Sequence, residues 1–262
     1  MSGCKEEIIK VRGRNTRLLR AGEGAPLMFL HDAFCPAWLP LHDRLASEFE
    51  VFVPIHPGFA GSEDGFEQFE TMEDLVIHYL DLCEAMKLVR PALAGSSFGG
   101  WIAAEWAIRY GERLRCLVLI DALGLRLPTA PVADVLSLDG PALRRTLFAE
   151  ANCLLALQTV PDTPSVEAIV PTILGRRALA RFAWQFPDDP RLLRYLYRAQ
   201  LPTLVLWGER DECVPIAHGN AFHDGIANSR LLVIGGAGHL PHLEAPGQCA
   251  KPIHEFLRKH ER

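Results

Sequence analysis

The sequence predicts an α/β protein built on a mostly parallel eight-stranded sheet with helices on both faces. Three observations lead to this fold class: short apolar runs recur along the chain, segments with helical spacing separate them, and most of the runs are apolar throughout. A strand inside a parallel sheet is covered on both faces, so it has little place for polar residues. Alternation of such strands with helices predicts a parallel sheet between two helical layers.

Eight segments are predicted to be strands. The first two form an antiparallel hairpin, and the others are short apolar runs; the segments are 7–13, 15–22, 26–31, 50–54, 91–95, 115–121, 202–208 and 230–236. Helical spacing predicts helices over 71–88, 98–111 and 251–260. The first of these begins with Thr71 and has Asp74 three residues later, which is an N-terminal capping signal.

The alternation stops between Asp121 and Thr203. Residues 122–200 contain no convincing strand, but they hold three helical segments separated by prolines, at 140–157, 172–186 and 190–200. A structureless loop of this length is improbable in a compact domain. We therefore interpret 122–200 as a helical cap inserted into a core formed by 1–121 and 201–262. Several aromatic residues are core residues by default but are candidates for an apolar pocket under this cap: Phe148, Phe182, Trp184, Phe186 and Tyr195.

Composition excludes several classes of protein. The net charge is −5 and no basic stripe is present, which argues against nucleic acid as a partner. No apolar run approaches the roughly 20 residues that a membrane-spanning helix needs, and the charged N-terminus lacks an apolar signal region. The seven cysteines are scattered without a CxxC pair, and HExxH is absent. We expect a cytoplasmic protein without a metal or other cofactor.

The segment Gly-Ser-Ser-Phe-Gly at 95–99 raises the question of which serine carries chemistry. Centred on Ser97, it fits the pattern G-x-S-x-G, with a predicted strand directly before it and a predicted helix directly after it, as in a nucleophile elbow. Glycine two residues before and two after the serine lets strand and helix approach closely. Centred on Ser96, the pattern would place Phe98 where a large side chain does not fit. Ser97 is therefore the predicted nucleophile, and Ser96 a supporting polar residue.

A serine hydroxyl becomes a good nucleophile when a base takes its proton. In strand-turn-helix serine hydrolases the acid follows the nucleophile and the histidine comes last, each on a loop after a strand. Asp211 and His239 occupy two such loops, at the carboxyl ends of the last two predicted strands. Open α/β sheets bind ligands at that edge.

From end to end, the chain resembles the α/β-hydrolase-fold enzymes. The matching motifs are "LHDAFCPAW", "HPGFAGSE", "GSSFGG", "WGERDECVP" and "GAGHLPHLE", in that order. The resemblance implies that the Asp of "GERD", Asp211, is the acid and that the His of "GAGH", His239, is the base. The motifs are specific for the fold and weakly specific for the substrate.

The resemblance also implies an oxyanion hole made of two backbone N–H groups. One belongs to Phe98, directly after the nucleophile, and the other to the loop after the third strand. We assign the second to Ala33, with Phe34 as the alternative. The family usually has His-Gly in that loop, whereas this chain has His31-Asp32. A carboxylate beside a developing oxyanion is unfavourable unless it points away or is paired.

Some neighbouring residues have simpler interpretations. His242 lies three residues after His239 and is taken as a structural or pocket residue. Glu209 and Glu212 flank Asp211 and are expected to be solvated. His31 is expected to pack and hydrogen-bond in the oxyanion loop rather than to act as a base.

Three functions are consistent with these residues. The first is a serine carboxylesterase that acts on an apolar ester or related acyl substrate through an acyl-enzyme. The second is a hydrolase of C–C bonds in ring-fission products of aromatic catabolism; that group typically has Asn before the serine and Trp after the catalytic histidine, where this chain has Ser96 and Leu240. The third is a non-catalytic protein that binds small ligands on the same scaffold. The oligomeric state does not follow from the sequence.

Overall fold

The structure is a computed structural model that describes residues 3–184 and 187–261. Its eight strands form one sheet in the order β1-β2-β4-β3-β5-β6-β7-β8. Their bounds are β1 Lys5–Val11, β2 Arg14–Ala21, β3 Ala25–Leu30, β4 Phe49–Pro54, β5 Ala92–Ser96, β6 Leu117–Ile120, β7 Thr203–Gly208 and β8 Ser229–Ile234. β1 pairs antiparallel with β2, β2 pairs antiparallel with β4, and the remaining pairs are parallel. The predicted fold class and the opening hairpin are confirmed.

Helices connect the strands and pack on the sheet. Their bounds are α1 Pro40–Leu45, α2 Met72–Ala85, α3 Phe98–Tyr110, α4 Gly140–Leu147, α5 Leu154–Thr159, α6 Val166–Ala183, α7 Leu192–Tyr195, α8 Ile216–Gly225, α9 Pro241–Glu244 and α10 Pro246–Lys259. Thr71 caps α2 as predicted: its side chain accepts a hydrogen bond from the Asp74 N–H, and the Asp74 carboxylate accepts one from the Thr71 N–H. The strands and helices share one continuous core of buried hydrophobic side chains, which includes Trp101 and Trp106.

The segment between β6 and β7 is helical, but its helices differ from the predicted ones. The predicted helix over 140–157 is two helices, α4 and α5, separated by six residues. The predicted start after Pro171 is wrong, because α6 begins at Val166 and carries Pro171 in its second turn. At the sixth position of α6, Pro171 removes one intrahelical hydrogen bond, the one that an N–H there would donate to the carbonyl of Glu167.

The last strand departs from the expectation of full burial. β8 lies at the edge of the sheet and pairs with β7 alone. All of its residues except the buried Ile234 are at least partly exposed, and Val233 is 52% exposed. The apolar run alone did not distinguish an edge strand from a central one, because strand order is a property of the assembled sheet. Among the described residues, no helix is long and apolar enough to cross a membrane.

Candidate active site

Ser97 lies in the sharp turn between β5 and α3. Its backbone has φ 51° and ψ −113°, a conformation that residues other than glycine adopt at a cost in free energy. The turn is held by three backbone hydrogen bonds: the Ser97 N–H donates to Ile120 O at 2.9 Å, and the Ser97 carbonyl accepts from the N–H groups of Trp101 and Leu123. The strain is therefore maintained by contacts with β6 and the start of α3.

The glycines on either side of Ser97 are required by close backbone contacts. A Cβ atom added to Gly95 would lie 2.3 Å from Gly99 O, and one added to Gly99 would lie 2.2 Å from Leu30 O. Both distances are far inside van der Waals contact, and the blocking atoms belong to the backbone. This is the physical reason for the pattern that the sequence analysis centred on Ser97.

Ser97, His239 and Asp211 lie in one hydrogen-bonded row. His239 Nε2 is 2.8 Å from Ser97 Oγ, and His239 Nδ1 is 2.9 Å from Asp211 Oδ2. The side chains of His239 and Asp211 are fully buried, and Ser97 is 1% exposed. Because an ionised carboxylate can only accept hydrogen bonds, Nδ1 carries the hydrogen and Nε2 is left to accept from the serine hydroxyl. The three residues come from the carboxyl ends of β5, β7 and β8, as the sequence analysis predicted.

The carboxylate of Asp211 is oriented by the backbone. Its Oδ1 atom accepts hydrogen bonds from the N–H groups of Cys213 and Val214, both at 2.8 Å. Burial acts to lower the pKa of His239, but the neighbouring charge of Asp211 and its hydrogen bond raise that pKa well above the ordinary value. The imidazolium form of His239 is therefore stabilised by Asp211.

A second carboxyl group, Asp121, lies beside this row, and the sequence analysis did not identify it. One of its side-chain oxygens lies within 4.8 Å of a carboxylate oxygen of Asp211 and of a ring nitrogen of His239. Asp121 Oδ1 accepts from the Gly208 N–H at 2.8 Å, and no group of the described residues donates a hydrogen bond to Oδ2. Burial, followed by the charge of Asp211, raises the pKa of Asp121 well above its ordinary value. A proton on Oδ2 lets Asp121 donate to Asp211, and the position of Asp121 directly after β6 is the sequence signal that could have revealed it.

The loop after β3 places Asp32, Ala33 and Phe34 next to the serine. The Phe34 N–H donates to Asp32 Oδ1 at 2.6 Å, so it is not free to bind an oxyanion. The N–H groups of Ala33 and Phe98 make no hydrogen bond with any residue that the structure describes. Ala33 and Ser97 line the same pocket. This arrangement favours Ala33 over Phe34 as the second donor.

His31 has partners on both ring nitrogens. Its Nδ1–H donates to Asp32 O, and Nε2 accepts from the His56 N–H at 3.0 Å. Burial lowers the pKa of His31 to about 4. This neutral, fully engaged ring is in agreement with the expected packing role. The flanking carboxylates Glu209 and Glu212 are exposed, as expected.

Glu244 fixes the loop that carries His239. One of its carboxylate oxygens accepts from the Gly238 N–H at 2.8 Å, and the other accepts from the Ala149 N–H at 2.9 Å. The His239 N–H in turn donates to Leu147 O. The histidine loop is thereby attached to the end of α4, in the segment between β6 and β7. Sequence reasoning missed Glu244, although it ends the motif "GAGHLPHLE".

A pocket of about 260 Å³ opens onto Ser97. Its lining is mostly apolar, and Asp134 is the one charged residue among the described lining residues, which are Ala33, Phe34, Ser97, Leu123, Pro131, Val132, Ala133, Asp134, Val135, Leu136, Leu179, Ala183, Trp184, Pro187 and Cys213. Of the aromatic residues that the sequence analysis proposed for a pocket under the cap, Trp184 is among the described lining residues. Phe182 contacts Phe66 and Phe98 instead, Tyr195 is 41% exposed, and Phe186 lies outside the described residues.

Comparison with known proteins identifies a family and several relatives. The model of the alpha/beta hydrolase family matches residues 27–251. A 2-hydroxymuconate semialdehyde hydrolase of Pseudomonas sp. (strain CF600) is 29% identical, over 94% of this chain and 91% of its own length. A 2-hydroxy-6-oxo-2,4-heptadienoate hydrolase of Pseudomonas putida is 25% identical, over 94% of this chain and 93% of the relative.

Solved structures show the same fold. A 2-hydroxy-6-oxo-6-phenylhexa-2,4-dienoate hydrolase from Rhodococcus sp. strain RHA1 superposes with a TM-score of 0.81 at 19% identity, covering 98% of this chain and 100% of the other. A thermophilic esterase from Thermogutta terrifontis has a TM-score of 0.72 at 26% identity, covering 98% of this chain and 99% of the other. At its low identity, the Rhodococcus structure demonstrates the fold alone.

Proposed function

The chain belongs to the alpha/beta hydrolase family, and on that basis we propose that it is a serine hydrolase whose catalytic triad is Ser97, His239 and Asp211. The observation that carries the proposal is the buried hydrogen-bonded row of these three side chains, which ends at a hydroxyl facing an apolar pocket. Nucleophile, base and orienting acid in this geometry are the parts that acyl transfer requires.

In the proposed reaction, Ser97 Oγ attacks a substrate carbonyl while His239 Nε2 takes its proton. The charge of Asp211 stabilises the imidazolium that forms. The N–H groups of Ala33 and Phe98 bind the oxyanion of the tetrahedral intermediate. His239 then returns the proton to the leaving group, and water releases the acyl group by the same steps in reverse.

We infer that the helical segment 122–200 acts as a cap over this site. Pocket-lining residues such as Val132, Leu136, Leu179 and Trp184 come from this segment, whereas Ala33, Ser97 and Cys213 come from the rest of the chain. The pocket therefore lies between the two parts, and the segment 122–200 supplies most of the surface that a substrate would contact.

For the bond cleaved, we propose a C–C bond next to a carbonyl group, aldehyde or ketone, in a ring-fission product of aromatic catabolism. Relatives that align with nearly the whole chain have names that describe hydrolases of this kind. The same triad can carry out this reaction: Ser97 adds to the carbonyl group and His239 takes its proton. The C–C bond then breaks with its electron pair delocalised into the conjugated leaving group, and that group takes the proton from His239. Water then hydrolyses the acyl-enzyme to a carboxylic acid.

Ester hydrolysis is the second candidate, and the lining of the pocket favours it. A ring-fission dienoate carries a carboxylate, yet no lysine or arginine is among the described lining residues. Arg176 is a cation close to the pocket: its guanidinium donates a hydrogen bond to the carbonyl of the lining residue Leu136 at 3.0 Å. An uncharged acyl ester would need no such cation.

The experiment compares turnover of 2-hydroxymuconate semialdehyde, followed by loss of its absorbance, with turnover of p-nitrophenyl butyrate. Faster turnover of the dienoate than of the ester by the wild type supports the C–C hydrolase. In that case Arg176→Gln should raise the KM for the dienoate and leave the KM for the ester unchanged. The reverse order of rates identifies an esterase. Ser97→Ala should abolish either activity, and undiminished turnover in this variant would contradict the triad. Background rates on both substrates in the wild type would favour the non-catalytic binding protein.

A further inference from the structure

A second row of serine, histidine and aspartate lies beside the proposed triad. Ser96 Oγ is 3.1 Å from His242 Nδ1, and His242 Nε2 is 2.9 Å from Asp32 Oδ2. All three residues are fully buried. None of them lines the pocket that opens onto Ser97, so this row does not itself meet substrate there.

Each member of this second row is close in sequence to a different part of the proposed catalytic machinery. Ser96 directly precedes Ser97, Asp32 directly precedes Ala33, and His242 follows His239 by three residues. One chain of hydrogen bonds thus joins the nucleophile turn, the oxyanion loop and the histidine loop, which otherwise belong to separate parts of the fold.

The direction of the hydrogen bonds follows from the chemistry of the groups. Asp32 Oδ1 accepts from the N–H groups of Phe34 and Cys35, at 2.6 and 2.8 Å, and Oδ2 faces His242. Buried with these donors, the carboxylate is held in its ionised form: burial acts to raise its pKa, but the hydrogen bonds from His242 and from the Phe34 N–H lower it. An ionised carboxylate can only accept, so His242 donates from Nε2 and accepts the Ser96 hydroxyl at Nδ1.

This pairing answers the difficulty that an acidic residue raises in an oxyanion loop. Both oxygens of Asp32 are engaged by donors, whereas the Ala33 N–H has no partner among the described residues. Asp32 also withdraws the Phe34 N–H from the site, leaving the Ala33 N–H as the donor of the loop. The carboxylate therefore sets which amide of the loop is available.

We propose that Asp32 is a positioning residue that, through His242 and Ser96, holds the Ala33 N–H in place relative to Ser97 Oγ. The inference rests on the proposed function, since it assumes that Ala33 binds the oxyanion. Asp32 touches no reacting atom in this proposal and acts through the loop that it caps.

The test compares Asp32→Ala, Asp32→Asn and Ser96→Ala on whichever substrate the wild type turns over, with inhibition by an aryl trifluoromethyl ketone as a second readout. The ketone's adduct with Ser97 carries an oxyanion. Loss of one oxyanion donor lowers kcat about 10²- to 10³-fold, so we expect a fall of this order in Asp32→Ala with KM little changed. Inhibition should weaken in parallel. Asp32→Asn can still accept from the two amides and should recover much of the loss.

A control separates positioning from folding. Glu105 is another fully buried carboxylate, on α3, which accepts from Trp101 Nε1 and pairs with Arg109. Glu105→Gln should lower Tm without weakening inhibition by the ketone. If Asp32→Ala does not fold, Ser96→Ala removes only the far end of the row and should still lower kcat and weaken inhibition.

Unchanged kcat and unchanged inhibition in Ser96→Ala and in every folded Asp32 variant would overturn the inference while leaving the triad intact. Turnover that survives Ser97→Ala would instead overturn the proposed function. The two failures are therefore distinguishable in the same set of proteins.

Discussion

At the scale of single residues, the proposed site depends on which carboxyl group is ionised. Asp211 and Asp121 follow neighbouring strands, and both lie near His239. Two carboxylates this close in a buried site do not both ionise, because their mutual repulsion adds to the cost of burial. The amides of Cys213 and Val214 donate to Asp211, whereas burial and the charge of Asp211 raise the pKa of Asp121. Asp121 therefore holds the proton and donates it in a hydrogen bond.

Asn is the closest mimic of a protonated aspartate, which makes Asp121 testable. Asp121→Asn keeps an acceptor for the Gly208 N–H and a donor toward Asp211, so it should retain far more activity than Asp121→Leu. The leucine variant leaves Asp211 without this donor, so its kcat should fall about 10- to 100-fold. A fall of this size corresponds to the free energy that one hydrogen bond to a charged group contributes. Steady-state kinetics of the two variants decide the matter, and equal losses in both would contradict a protonated Asp121.

Asp211→Asn tests the charge beside His239. Because the charge of Asp211 raises the pKa of His239, its removal should lower that pKa. The deprotonated base is then available at lower pH, so the acidic limb of the kcat/KM profile should move to lower pH. The maximal rate should fall about 10⁴-fold, because the imidazole loses its orienting carboxylate. The pH profile of kcat/KM measures the shift, and a limb at unchanged pH would show that another group controls it.

At the scale of secondary-structure elements, the nucleophile turn is shaped by backbone contacts between β3, β5 and α3. The missing Cβ of Gly99 allows the start of α3 to lie against the carbonyl of Leu30 at the end of β3. The turn thus brings Ser97 and the loop after β3 into one place. This approach requires a positive φ at Ser97, a backbone conformation that costs free energy for a residue other than glycine.

Gly99→Ala should disrupt this turn. The new methyl group would meet backbone oxygens that cannot move independently, so we expect loss of activity together with destabilisation of several kcal/mol, on the order of other severe steric insertions. Gly140→Ala is the matched control, because a Cβ there has its nearest neighbour at 3.8 Å. Urea unfolding and turnover of both variants check this, and a Gly99→Ala protein as active as Gly140→Ala would contradict it.

At the scale of the whole molecule, the parallel strands bring distant parts of the chain to one edge of the sheet. Ser97, Asp211 and His239 follow β5, β7 and β8, and Ala33 follows β3. The folded protein also buries several histidines. Burial lowers the pKa of His31 to about 4, of His42 to about 3 and of His78 to about 4. These rings are neutral in the folded protein and take up protons when the chain unfolds.

The buried histidines predict loss of stability in mild acid. Below about pH 6.5 the unfolded chain binds protons that the folded chain does not, so the free energy of unfolding should fall by about 1.4 kcal/mol per pH unit for each such histidine. The fall should continue until the folded pKa is reached, near pH 4 for His31 and His78. Urea midpoints between pH 7 and 4 measure it. His78→Gln should show a shallower slope, and an identical slope would contradict the prediction.

The sequence by itself determined the fold class, the succession of the eight strands along the chain, and the serine, aspartate and histidine that the structure brings together. Those features are local: apolar periodicity, glycines at a turn, and polar residues directly after strands are all visible along the chain. The sequence did not predict the helices α1, α8 and α9. Helix boundaries in 122–200 were less predictable, because α4, α5 and α7 are short and because Pro171, inside α6, obscures the start of that helix.

The tertiary structure alone decided which distant side chains meet. His242 and Asp32 are separated by 210 positions, and Asp121 reaches Asp211 only because β6 and β7 are neighbours in the sheet. No periodicity marks such pairs, since a buried hydrogen bond depends on the position of two backbones that the chain joins through many intervening elements. The choice of Ala33 over Phe34 as the available donor likewise depends on where the Asp32 carboxylate points, which the fold determines.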